Sequence, residues 1–258
     1  MSRFEHIQTD GDAPASAGTD EFDFDHYRTL ADRARNHGEF EKALRLYGRA
    51  LERDRTRAEG WLGQVRVLLE MGQAEEAETW LEQAARILGE VPGILALRSI
   101  SAVRAGKLDD ARAWSDRAMR AGDDDPEVWF ARAEVVYAGG NIKVARINLD
   151  KGHERSPSAD TARRAGEVAL ERDDTATAQR WFARAATEDP ENPLIAMRLG
   201  VCLERMHEWD RARNEFERAI LLSPDMKSAR LALADLDARG WMARVMANLR
   251  GLLNGKMR

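Results

Sequence analysis

The residues that could carry chemistry are few and scattered. Five histidines stand at positions 6, 26, 37, 153 and 207, and the single cysteine is Cys202. No histidine has a second histidine, a cysteine or an acid at a spacing that builds a metal site. The chain has no glycine loop that would cradle a phosphate and no nucleophile elbow. Its acids, such as Glu75, Glu76 and Glu78, fall where helical surfaces solvate or pair them. Cys202, between Val201 and Leu203, reads as a small core residue. No catalytic residue, metal ligand or cofactor is therefore expected, and the chain is expected not to be an enzyme. What remains are arginines and apolar side chains at helical spacing, whose chemistry is binding.

The elements that position them repeat. Gly38, Gly72, Gly106 and Gly140 are each 34 residues apart, as are Ala43, Ala77, Ala111 and Ala145. The row Ala50, Ala84, Ala118, Gly152 keeps the same step, and so does the large-residue row Tyr27, Trp61, Leu95, Trp129. One residue is lost after Pro157, and the register resumes with Ala178 and Ala212, Ala185 and Ala219, Pro190 and Pro224. Each unit reads as helix, turn, helix. Small residues on one face of the second helix let two helices approach, and the bulky residue between them fills the gap. One unit cannot bury its apolar face alone, so stacking must bury it.

With its 34-residue step and the triplets Ala43–Tyr47–Ala50, Ala77–Leu81–Ala84, Ala178–Phe182–Ala185 and Ala212–Phe216–Ala219, the chain resembles the tetratricopeptide repeat family over about residues 24 to 238. It departs from that pattern at Asp173 and His207, which replace the turn glycine, and at Arg55, Gly89 and Asp123, which replace the closing proline. The resemblance implies an all-α, right-handed superhelical solenoid of about six helix-turn-helix repeats with C-terminal capping helices. The expected units are 24–57, 58–91, 92–125, 126–158, 159–192 and 193–226, followed by a capping helix at 227–239 and a basic amphipathic helix at 240–258.

Composition agrees. The hydrophobic fraction of 43% with seven tryptophans is ample for folding, and one cysteine excludes a disulfide framework. No apolar run is long enough to span a membrane and the N-terminus has no secretory core, so a cytoplasmic protein is expected. The preference for Arg over Lys fits a GC-rich bacterial genome.

The termini carry opposite charge. Residues 1–23, with Gly, Pro, Ser and Ala and no helical period, read as a disordered acidic tail. Through Asp25 the net charge is −6. Phe22 and Phe24 alternate with acids there, as in a short docking peptide that could fold over the protein's own groove. From Arg239 onward the charge is +5, and Trp241, Met242, Val245, Met246 and Leu249 follow helical spacing with Arg244 and Arg250 off the stripe. That helix either covers the last repeat or docks on an anionic membrane or a partner. The body between the termini carries −4, which argues against general nucleic-acid binding.

The resemblance also implies that successive first helices line a concave groove. Projecting those helices away from their paired second helices selects Leu62, Arg66 and Leu69 in the second unit, and Leu97, Ile100 and Val103 in the third. Phe130, Glu134 and Tyr137 follow in the fourth, Arg163 and Arg164 in the fifth, and Arg198 in the sixth. The middle of the expected groove is apolar and its C-terminal third is rich in arginine, unless superhelical curvature or the tail covers it. An amphipathic partner segment with acidic groups would fit. Members of the family that grip chaperone tails hold the terminal carboxylate with Lys and Asn. The matching sites here, Arg28, Asp32, Gly63, Gly93 and Leu97, lack that pattern. The expected function is a protein-interaction scaffold or adaptor. The alternative is an assembly factor on the inner membrane face, docked through residues 240–258.

Overall fold

The computed structural model describes residues 22–239. Among them it is all helix, an all-α repeat solenoid of α1 (Phe24–Asn36), α2 (Phe40–Arg53), α3 (Ala58–Glu70), α4 (Ala74–Leu88), α5 (Pro92–Arg104), α6 (Leu108–Ala121), α7 (Pro126–Ala138), α8 (Ile142–Arg155), α9 (Ala159–Glu171), α10 (Thr175–Glu188), α11 (Pro193–Arg205) and α12 (Trp209–Leu222). A final described helix occupies 227–239.

One local device makes every hairpin. The first helix ends with a residue in the left-handed region, and the next N–H turns back five residues. Glu39 N donates to Ala34 O at 2.8 Å, and Gln73, Lys107, Asn141, Asp174 and Glu208 donate in the same way to Leu68, Ala102, Val136, Ala169 and Leu203. This satisfies carbonyls that a helix end leaves without partners. Glycine fills the left-handed position in the first four repeats, and Asp173 (φ 58°) and His207 (φ 64°) fill it in the last two. Helix starts are fixed by Pro92, Pro126 and Pro193 at the first turn and by caps at Asp23, Asn141 and Ser158.

Asp23 and Phe24 correct one expectation. Asp23 accepts from His26 N to begin α1, Phe24 is buried in its first turn, and Phe22 stacks on His26. The alternating Phe and acid pattern is a helix start, so the docking-peptide reading of these residues falls.

The core follows the repeat. Ala43, Ala77, Ala111, Ala145, Ala178 and Ala212 are fully buried, as are Tyr47, Leu81, Leu149, Phe182 and Phe216 one turn on. These bulky side chains seat on small residues. A Cβ placed on Gly200 would lie 2.6 Å from the Phe216 ring, and one on Gly63 would lie 2.2 Å from Tyr47. In the third repeat the equivalent pair is Ser99 and Ser115, both buried. Beside it α5 packs along α7 as well as against its own partner α6.

The stack curves far enough for its two ends to meet. Arg35 near the end of α1 bonds Asp160 at the start of α9, and a Cβ on Gly38 would touch Leu194 of α11 and Met226. First helices face inward, second helices outward, and a seam joins the first repeat to the fifth and sixth.

Candidate interaction surface

Closure turns the inner wall into a lattice of ion pairs. Arg35, Arg66, Arg104, Arg163, Arg164, Arg172 and Arg198 all project from first helices or their ends. They meet Glu70, Asp125, Glu127, Glu134, Asp160, Glu167 and Glu171. The charges balance. Some pairs skip a repeat: Arg66 reaches Glu127 at 3.1 Å from two repeats away, and Arg104 reaches Glu171 at 3.2 Å. Arg164 bridges Glu127 at 3.0 Å and Glu134 at 2.8 Å, and Arg198 holds Glu167 at 2.8 Å. At the seam Arg163 joins Arg35 on Asp160, at 2.8 Å, and also reaches the Asn36 side chain at 3.4 Å.

Electrostatics follow from this geometry. Burial opposes the ionised forms of Asp160 and Glu127, but Arg35 and Arg163 outweigh it at Asp160, and Arg164 and Arg66 at Glu127. Both carboxyls are held below the usual range. Glu171 goes the other way, raised by burial and by the neighbouring Glu134 despite Arg104. Outside the wall, the Tyr137 hydroxyl donates to Asp174 at 2.8 Å. Arg146 grips the same carboxylate, which is lowered to about 2 because these hydrogen bonds outweigh its burial.

The structure revises the apolar part of the expected groove. Leu62, Leu69, Leu97, Ile100, Val103, Phe130 and Tyr137 are all buried, the last two at 1% and 7% exposure. Leu62 packs on Gly93, and Phe130 on Gly152 of its own second helix. Val103 belongs to a small cluster with Ala111 and Val135. A rotation of one position about a helix is about 100°, enough to turn Phe130 from the groove to α8. Leu69, Leu97 and Ile100 do face inward. With Phe40 they line a central cavity of about 30 Å³, beneath Arg66, Arg163, Arg164 and Arg198. That volume holds about two waters, too little for a peptide.

Arg66, Glu134, Arg163, Arg164 and Arg198 stand on the inner wall, each paired within the lattice. Sequence reasoning missed Glu70, Asp125, Glu127, Asp160 and Glu171, the acids that neutralise them. The repeat register held a clue, since one row reads Asn36, Glu70, Arg104, Ala138, Glu171, Arg205 and another Asp32, Arg66, Ile100, Glu134, Glu167, Val201. Opposite charges in a shared row become neighbours when the stack curves. Trp241, Met242, Arg244, Val245, Leu249 and Arg250 lie outside the described residues. Among the described residues no helix is long and apolar enough to cross a membrane, and no group of His, Cys, Asp and Glu could hold a metal ion.

A curved stack of helical hairpins with first helices inward defines a helical-repeat solenoid. Models described as tetratricopeptide repeat match residues 34–99, 97–160 and 169–236, and the chain belongs to the tetratricopeptide repeat family. Comparison with curated proteins gives no match. Among solved structures the chain is similar to a tetratricopeptide repeat protein from Parabacteroides merdae, with 15% identity and a TM-score of 0.52 over 83% of this chain and 84% of that one. It is also similar to yeast Tom70, at 16% identity and a TM-score of 0.52 over 86% of this chain. The APC/C hetero-tetramer Cut9-Hcn1 gives 12% and 0.51 over 83%. The chain spans 48% of the Tom70 chain and 43% of the matched chain in the Cut9-Hcn1 structure. At these identities the likeness is one of fold.

Proposed function

We propose that the chain is a non-catalytic protein-interaction scaffold that takes an amphipathic, acid-bearing partner segment along its first helices when the seam opens. The family and the fold support the scaffold role. The observation that carries the partner site is the inner wall, where arginines already hold carboxylates above an apolar floor of Leu69, Leu97 and Ile100. A partner's carboxylates would replace the internal ones, and its apolar side chains would meet that floor. Exchange of one carboxylate for another keeps the guanidiniums paired, which a buried charge requires.

A seam lock tests this. A Cβ on Gly38 would lie 3.8 Å from the Leu194 Cβ, within the ~3.5–4.5 Å of a disulfide. Gly38→Cys with Leu194→Cys should therefore form a bond that holds the ring shut. Cys202 is buried, and burial pushes its thiol up to about 12, so it stays out of the exchange. In pull-downs from native cell extract, the reduced variant should retain a partner that the oxidised variant loses. Equal retention by both would show that the partner uses another surface.

A further inference from the structure

The seam also forms a second cleft, which adjoins the ion-pair lattice through Arg198. Its volume is about 720 Å³, and its walls come from both ends of the described chain: the turn and start of α2 on one side, α11 and the beginning of the final helix on the other. This size lies in the range of sites that take a small molecule or a few side chains, roughly 300–1,000 Å³. The floor is apolar, with the half-buried Phe40 and Met226 lying over the buried Leu194 and Met197. The rim carries Arg45 and Lys227.

Charge separates this cleft from the inner wall. Every arginine of the lattice faces a carboxylate, whereas Arg45 and Lys227 have no ion pair among the described residues. The acids that share the rim are already engaged: Glu39 bonds Lys42, Asp225 lies 3.7 Å from Arg230, and Glu41 has its own interaction. Arg198, at the back, is taken by Glu167. An apolar floor between two unengaged cations fits an extended acidic segment that inserts one bulky apolar side chain.

We propose that this cleft docks such a segment of a partner protein, with Arg45 and Lys227 taking its carboxylates and Phe40, Leu194, Met197 and Met226 taking its apolar side chain. The site goes beyond the inner-wall reading, because its walls come from both ends of the described chain and it is complete only while the ring is closed. Its two walls meet only through closure. The occupant bridges the first and last repeats, so binding and seam closure favour each other. A ligand that binds one of two states shifts the protein toward that state by mass action. Opening the seam at a distance therefore weakens binding without touching the cleft.

Methyl NMR on the full chain with labelled methionines tests the proposal. The probes are three capped peptides: Asp-Glu-Phe-Glu-Asp, the anchorless Asp-Glu-Gly-Glu-Asp, and the basic Lys-Lys-Phe-Lys-Lys. Expected is a saturable shift of the Met197 and Met226 methyls with the first peptide, with Met71 and Met119 still. The other two peptides should bind at least tenfold more weakly, and so should the first peptide to Arg45→Glu with Lys227→Glu, two surface changes. Asp160→Ala, which loosens the seam, should weaken binding severalfold. The absence of any shift at Met197 and Met226, or equal shifts with the basic peptide, would overturn the proposal. So would a response seen only when Asp10→Asn and Asp12→Asn are introduced, since the chain's own acidic segment would then be the occupant. The Met197 and Met226 shifts with the three peptides report the cleft, so their absence leaves the inner-wall reading standing.

Discussion

Arg35 Nη2 lies 3.0 and 3.1 Å from the two carboxylate oxygens of Asp160, 125 residues further along the chain. In an open stack these residues belong to repeats that never meet, so their bond marks ring closure. Asp160→Ala removes the closest carboxylate of a guanidinium that is only 6% exposed. The expected loss is about 1–3 kcal/mol in urea melts, with a larger radius of gyration by X-ray scattering. Arg35→Ala with Asp160→Ala should cost less than the sum of the singles, with a coupling on the order of 1 kcal/mol. Strict additivity would mean that the pair does not form in solution.

Glycines in the helices divide into two kinds by what surrounds them. A Cβ on Gly200 or Gly166 would press within 3.0 Å of the Phe216 or Phe182 ring, while one on Gly48 would have nothing within 4 Å. Gly200→Ala and Gly166→Ala should each destabilise by about 1–3 kcal/mol through overpacking. Gly48→Ala, inside α2, should stabilise by about 0.5–1 kcal/mol through helix propensity. Thermal melts of the three variants read this directly, and a stabilised Gly200→Ala would contradict the packing.

The last two hairpins place side chains where the first four have glycine. Asp173 and His207 hold left-handed φ values, which cost an L-residue roughly 1 kcal/mol. Asp173 is partly compensated by Arg205 at 3.0 Å, whereas His207 sets its ring edge-on against Trp209. His207→Gly should therefore raise stability by about 0.5–1 kcal/mol, and Asp173→Gly by less. A lower melting temperature for His207→Gly would show that the ring contact outweighs the backbone strain.

These contrasts mark what was legible in the sequence. Helices, hairpins and core were readable because each repeat writes nearly the same local instructions, and the small, bulky, small row of Ala43, Tyr47 and Ala50 recurs in five of the six second helices, the exception carrying Ser115. Arg163, Arg164 and Arg198 could be placed on the inner wall from register alone. Closure was not readable, since it accumulates from small rotations between neighbours that no single unit encodes. Without closure, Asp160 looks like a surface acid at a helix start, and Leu97 looks like an open groove residue. Phe130 failed for another reason. Gly152, small enough to receive its ring, sits in the row where the other second helices carry alanine, and that substitution turns the ring toward α8.

Acid should loosen the molecule from the seam first. Asp160 and Glu127 have folded-state carboxyls held below their unfolded range near 4. A lowered group contributes stability that is present above its unfolded pKa and is lost as pH falls through the folded value. Glu171 has the opposite sign, because its raised carboxyl gains a proton more readily when folded. Its contribution is complete below the unfolded value and fades as pH rises through the raised one. Urea midpoints should therefore hold or rise slightly from pH 6 to 5 and fall below pH 4. Asp160→Asn and Glu127→Gln should lower the midpoint at pH 7 and flatten the acid slope, while Glu171→Gln should remove the rise near pH 5. Amide exchange should show the end of α1 and the start of α9 losing protection at a higher pH than α12. Simultaneous loss across all helices would mean that acid acts on the whole stack and that the seam is no weaker than the core.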